Sequence, residues 1–309
     1  EIIAESVDAA DEFLPSAEDW HRSFYQRNAA NDVAAVSTTI TTTPAPIPDT
    51  QERLVSTLLS ASLPISTRPM FSVMVPIHNH YDHLLTCLSS IFPEIDDGAE
   101  VVLVDDGSTD PRVAALLGRL RAAHPALVVI TLPENAGISA AQNEAIAHAR
   151  GEYVCFVDCD DELVAGALRR LRQGLSSDRR TDYLFSNRVD IDEGGRALRS
   201  ARYGGYEWLV PSGNIAHDLL DGMVASHLKV IRRETYVAVG GCDERYDGIQ
   251  DWELALRVSR TGRMQHLDEE WYRHRIHQQS VTSSARVNQF RKTNEVRRRY
   301  GLMSYRTST

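Results

Sequence analysis

The chain has 309 residues, 42% of them hydrophobic and 25% charged, with a formal net charge of −10. That is an ordinary globular composition, long enough for one α/β domain of about 200–250 residues with extensions or for two smaller domains. The acidic balance speaks against a nucleic-acid binder, which carries a basic face, but not against an anionic ligand, since a bound divalent metal reverses the local sign.

In chain order, residues 1–69 read as an extension. Residues 16–30 predict a helix, with Ser16 as N-cap and Trp20, Phe24 and Tyr25 as apolar positions. The Thr- and Pro-rich stretch 37–50 (STTITTTPAPIPDT) can bury little and reads as a linker or arm. Residues 50–62 read as a short amphipathic helix, so the extension is expected to pack on the main domain or on a partner. From Pro69 onward, apolar strands alternate with helices. Strands are expected over 71–75 (FSVMV), 100–104 (EVVLV), 127–132 and 153–157 (YVCFV). Helices are expected over 81–92, with Leu84, Leu85, Leu88 and Ile91 on one stripe, over 111–123 behind an Asp110 N-cap, and over 139–150 before Gly151. Continuous apolar strands joined by helices imply a parallel sheet covered on both faces.

The second half is less regular. Strands are expected over 182–186 and 226–232, a helix over 251–261, a tight turn at Gly240-Gly241 and a basic helix over 285–300. No apolar run approaches the ~20 residues of a membrane span, and no signal peptide is visible. Cys87, Cys155, Cys159 and Cys242 form no CxxC pair, which argues against zinc and for core thiols in a reducing, cytoplasmic setting. The chain opens on Glu1 rather than Met, which predicts a segment excised from a longer protein.

The polar motifs follow strands directly: PIHN after the first, DDGS after the second, DCDD after the fourth. Ligands on such sheets bind beyond the carboxyl ends of the strands. Five carboxylates would crowd one rim, and like charges a few ångströms apart repel by roughly 1 kcal/mol or more per pair. A cation relieves this, and oxygen ligands suit Mg²⁺ or Mn²⁺ holding a diphosphate. The bland alternative is that these acids cap helices and form turns.

The runs FSVMVPIHN, VVLVDDGSTD and ENAGISAAQNEAIAHARGEYVCFVDCDDEL, then IRRETYVAVGGCDERYDGIQDWELALRV and YRHRIHQQSVT, resemble glycosyltransferase family 2 over about residues 70–283. The resemblance implies the GT-A fold, α/β and Rossmann-like, with a mostly parallel sheet and helices on both faces. It implies a domain over 70–284, between an N-terminal extension (1–69) and a C-terminal basic helix and tail (285–309). The implied activity is inverting and dependent on Mn²⁺ or Mg²⁺. It moves a sugar from a nucleoside-diphosphate sugar, most naturally a UDP-sugar, to a hydroxyl of a glycan or other acceptor.

By the same resemblance, Pro76 and His78 line the base pocket, Asp106 accepts a hydrogen bond from the base, and Asp158 lies near the ribose. Asp160 coordinates the metal and Asp161 supports either role. Asn135, Gly137 and Asn143 lie beside the nucleotide, with Gln142 standing where the family carries Arg. In Gln250-Asp251, Gln replaces the family's first acid. Asp251 is the general base for the acceptor hydroxyl, although it can also cap its helix. His277, ahead of Ser280 and Thr282, matches a metal- or diphosphate-side His, with a structural role as the alternative. His274 is a further candidate, and Arg273 and Arg275 would hold phosphates. Residues 217–227 lie where the acceptor site forms. Trp208, Trp252 and Trp271 are possible sugar platforms, helical spacing favouring core for Trp252.

Two other functions remain open. A nucleotidyltransferase would need a Gly-rich, cationic loop near the first strand, which PIHNHYD lacks. A catalytically silent nucleotide- or glycan-binding module stays open through Gln142 and Gln250. Missing QxxRW and membrane spans speak against a processive synthase. The N-terminal arm and C-terminal helix are expected contact surfaces for further domains or a homo-oligomer.

Overall fold

A computed structural model describes residues 48–177, 180–205, 211–277 and 286–302. The helix expected over 16–30, most of the Thr/Pro stretch, Trp208, Ser280 and Thr282 lie outside the described residues.

The first half follows the predicted alternation: α1 (Pro48–Ser60), β1 (Phe71–Ile77), α2 (Tyr81–Ile91), β2 (Ala99–Asp105), α3 (Pro111–Ala123), β3 (Val128–Thr131), α4 (Ile138–His148) and β4 (Tyr153–Phe156). Asp110 caps α3 by accepting from the Arg112 N–H at 2.9 Å. The second half holds β5 (Glu162–Leu163), α5 (Ala167–Ser177), β6 (Tyr183–Ile191), β7 (Ala197–Ala201), α6 (Ile215–Asp218), β8 (Lys229–Arg232), α7 (Arg233–Ala238), α8 (Gln250–Ser259), β9 (Met264–Arg275) and α9 (Arg286–Arg299).

The strands form one sheet in the order β3-β2-β1-β4-β8-β6-β9-β5, with β7 on β6. The β3-β2-β1-β4 portion is wholly parallel. Beyond β4 the sheet is mixed: β8 is antiparallel to β4 and β6, and β9 runs parallel to β6 with register shifts near Asn187. β9 was not expected, because MQHLDEEWYRHR lacks the apolar continuity that marked the other strands.

Alternation along β1 splits the core into two layers. Val73 and Val75 pack with Leu84, Leu88, Val113 and Leu117, whereas Met74 packs with Ala141, Ala145, Trp252 and Leu256. Helices therefore cover both faces, as a parallel sheet requires. α1 belongs to the first layer through Val55 and Leu58, and the His124 ring donates to the Leu58 carbonyl at 2.7 Å. α9 folds back on the chain before α8, with Lys292 donating to the Asp247 carbonyl at 2.8 Å. Trp252 and Trp271 are 0% and 1% exposed, so both are core and neither is a sugar platform.

Candidate active site

The pairing Ile77↔Asp105 and Met74↔Phe156 ends β1, β2 and β4 side by side. The three polar motifs therefore leave the sheet at one edge. After β1, Asn79 (φ 63) and His80 (φ 52) both take the left-handed conformation, unusual for residues other than Gly. The second motif holds them there. The Asn79 amide oxygen accepts from the N–H groups of Thr109 (2.9 Å) and Asp110 (3.0 Å), and its own N–H donates to Ser108 Oγ at 2.8 Å. His78 donates from Nδ1 to the Asp106 carbonyl at 2.8 Å, which fixes its ring. Pro76 is buried within β1 and presents almost no surface to a ligand, contrary to the expected pocket role.

The Asp106 carboxylate, 4% exposed, accepts from the N–H groups of Ala136 (2.7 Å) and Gly137 (3.0 Å). Gly107 permits this closeness, since a Cβ there would lie 2.4 Å from Asn135 N. Asp247 accepts from the Ser139 N–H at 3.0 Å. The free N–H groups of a helix N-terminus invite an anion; at α4 two of the protein's own carboxylates take that place. Asn135 is exposed on this loop and accepts from the Gly137 N–H at 3.1 Å.

Asn143 does not face this loop. Its amide donates to the Cys242 carbonyl (2.9 Å) and accepts from Tyr236 Oη (2.7 Å) and the Cys242 N–H (2.9 Å), pinning α4 to the Gly240-Gly241 turn. Gln142 and Gln250 are 3% and 6% exposed and engaged internally, with Cys242 Sγ and the Gly248 N–H respectively. Both departures from the family pattern thus sit in packing contacts.

The crowding of five carboxylates is relieved mostly from within. Asp105 accepts from the Ser108 N–H at 3.0 Å. Asp161, expected as support for nucleotide or metal, is 2% exposed and accepts from the Arg275 N–H at 2.6 Å. Burial, then the charges of Asp160 and Asp158, push its carboxyl well above the usual range. Arg275, expected on a phosphate, is 3% exposed and holds protein groups instead: the carbonyls of Asp160 (2.8 Å), Asp192 (3.0 Å) and Glu193 (2.9 Å), and the Glu162 carboxylate.

Asp158 and Asp160 remain. Asp158 Oδ1 is buried without a hydrogen-bond partner among the described residues. Burial raises its carboxyl, Lys229 counteracts, and Asp160 and Asp251 add to the rise. Asp160 Oδ2 lies 2.8 Å from His277 Nε2. Burial alone would raise Asp160, yet the His277 hydrogen bond and charge, with His80, hold it below the usual range. The rings of His80 and His83 lie 5.3 and 5.2 Å from that of His277. Burial keeps both neutral, with His83 lowered to about 4. The sequence reading missed both, although a His pair three apart at a helix start directly after a strand was a visible signal.

Asp251 occupies the first turn of α8, its side chain 26% exposed. Oδ1 accepts from the Trp252 N–H at 2.8 Å, and Oδ2 lies 3.7 Å from Lys229 Nζ. Asp161, His227 and His274 bring potential ligand atoms within 4.8 Å of one another. The two imidazoles are stacked, however, at 5.4 Å and 23°. In-plane lone pairs of stacked rings do not converge, so this group suits a hydrogen-bonded floor better than a chelate. His274 accordingly pairs with Asp190 at 3.1 Å. A cleft of about 640 Å³ opens elsewhere, lined by Gln51, Val55, Tyr81 and Arg119. Its one carboxylate is Glu52, so acids do not gather there as they do at the strand ends.

Residues 72–239 match the family model described as glycosyl transferase family 2. The chain belongs to that family. Over 67% of its length it is 31% identical to the O-antigen biosynthesis protein RfbC of Myxococcus xanthus, covering 16% of that protein. Over 78% it is 25% identical to the chondroitin synthase of Escherichia coli, covering 34% of it. The family 2 domain thus spans about a sixth to a third of these relatives. Among solved structures it is similar to Staphylococcus aureus TarS 1–349 in complex with UDP-GlcNAc, at TM-score 0.58 and 24% identity, covering 73% of this chain and 65% of that one. This likeness shows the GT-A fold. The chain accordingly carries a domain of glycosyl transferase family 2, and among its described residues no helix is long and apolar enough to cross a membrane.

Proposed function

We propose that this family 2 domain is the catalytic unit of an inverting, metal-dependent glycosyltransferase that moves a sugar from a UDP-sugar to a hydroxyl of a glycan or other acceptor. The observation that carries the reading is the rim after β4: Asp158 with an unpartnered buried oxygen and Asp160 paired with His277, next to a partly exposed Asp251 at the start of α8. The co-crystallised UDP-GlcNAc of the TarS structure supports the donor class.

The donor set fits a divalent ion of the Mn²⁺ type. Asp160 and His277 would hold it, with the neutral imidazoles of His80 and His83 beside them, a mixed oxygen and nitrogen environment. Such an ion supplies charge neutralisation for the diphosphate leaving group. Asp251 holds its carboxylate toward the acceptor side, where it takes the hydroxyl proton while that oxygen attacks the anomeric carbon. The bond from that carbon to the diphosphate breaks on the opposite face, UDP leaves, and the sugar configuration inverts. Asp106 shapes the nucleotide wall by clamping the 135–137 loop, and each of its oxygens keeps a lone pair that could accept from a base.

The test is a panel of nucleotide-sugars with Mn²⁺, scored by UDP release without acceptor, on wild type and Asp251→Asn. UDP release by wild type, with retained UDP binding but abolished release in the variant, is the expected result. Water stands in for the acceptor hydroxyl in this assay, so wild-type release by the variant rejects Asp251 as the base that deprotonates the attacking oxygen, and pyrophosphate in place of UDP rejects the reaction class.

A further inference from the structure

We infer that Lys229 is the positioning residue for Asp251, holding the base carboxylate from behind. This rests on the assignment of Asp251 as base.

Lys229 opens β8, in antiparallel register with Phe156 at the end of β4. That pairing delivers its side chain under the DCDD run, where it is 6% exposed. Burying an ammonium costs several kcal/mol unless it is paired, so its neighbours are the reason it can stay. Nζ lies 3.7 Å from Asp251 Oδ2. The other groups around it are Asp158 and Asp161 from the β4 end and the Cys242 thiol, with His227 on its own segment. Burial pulls its charge state down, but Asp251 and then Asp158 more than offset this, so the ammonium persists.

The result is a two-point hold. The Trp252 N–H fixes Asp251 Oδ1 and Lys229 draws Oδ2, leaving the outer lone pairs for the acceptor. The charge of Lys229 also works against the rise that burial imposes on the Asp158 carboxyl, whose Oδ1 has no hydrogen-bond partner among the described residues. No other described Lys or Arg is in an ion pair with Asp251.

The test uses Lys229→Met, Asp251→Asn and the double variant, with the UDP-sugar selected by the panel above and Mn²⁺. UDP release gives kcat and KM, and calorimetric UDP titration confirms that each variant is folded. Lys229→Met is expected to lower kcat about 100-fold, the low end of what a general base supplies, with KM and UDP affinity within about threefold of wild type. In the Asp251→Asn background it is expected to change the residual rate less than twofold, because a residue acting through another has nothing left to act on. If Lys229→Met gives no UDP-binding protein, Lys229→Gln serves in the same cycle. A near-wild-type kcat in Lys229→Met, or an equal loss in both backgrounds, overturns the inference while leaving the base intact. A wild-type rate in Asp251→Asn instead removes the base assignment itself.

Discussion

Asp106→Ala separates two roles for the same carboxylate. Asp106 accepts two backbone N–H bonds, from Ala136 and Gly137, and is 4% exposed. A hydrogen bond to a charged acceptor contributes about 1.5–3 kcal/mol, so losing both removes roughly 3–6 kcal/mol. Gly137 keeps Asn135 Oδ1 at 3.1 Å as a second acceptor, which reduces the net loss to about 2–4 kcal/mol. For a domain of this size that corresponds to a melting point lower by roughly 5–15 °C. Scanning calorimetry without nucleotide, together with amide exchange over residues 134–139, reads the effect directly. Melting within 1–2 °C of wild type (roughly 0.5 kcal/mol or less), with unchanged exchange but lost UDP binding, would refute the clamp and leave base recognition as the sole role.

Three further outcomes follow from the geometry. Asp160→Asn or His277→Ala should weaken Mn²⁺ binding in the presence of UDP by about 10–100-fold, measured by calorimetry; unchanged Mn²⁺ affinity would count against this pair as the metal grip. Gly137→Ala should destabilise the protein and weaken UDP binding. Its φ of +95 costs a side-chain-bearing residue about 1–3 kcal/mol, and the new methyl would meet Asp247 Oδ2 at 2.0 Å; a wild-type melting curve would contradict this. His80, His83 and His227 are all lowered, chiefly by burial, so the unfolded chain binds more protons than the folded one below its own value of about 6.5. Stability in EDTA is therefore full above that pH and falls as pH drops toward about 4, the folded value of His83. His83→Gln should flatten that slope in a melting series, and an unaltered slope would exclude His83 as a contributor.

The parallel half was legible because its strands are apolar on both faces and its helices carry stripes; Leu84, Leu88 and Ile91 share one stripe of the sequence and are buried in the fold. The same rule concealed β9, whose residues are mostly polar and only partly buried. At the rim, residue type and strand order brought the DDGS and DCDD motifs to one edge, but not the partners of each acid. Those depend on which loop amides lie within 3 Å, and so Asn143, Asp161 and Arg275 read as ligand contacts while the fold engages them with its own backbone. Lys229 left no trace, since a lone Lys in a strand reads as surface. Its importance comes from α8 arriving over β8, a contact between segments about twenty residues apart.

The most direct measurement is titration of UDP into wild-type protein with Mn²⁺ and, in parallel, with EDTA, repeated on Asp160→Asn. Tight binding with Mn²⁺ that collapses with EDTA and in the variant is the expected result. UDP binding equal in all three conditions, or no binding in any, would contradict a strand-end carboxylate site that grips a nucleoside diphosphate through a cation.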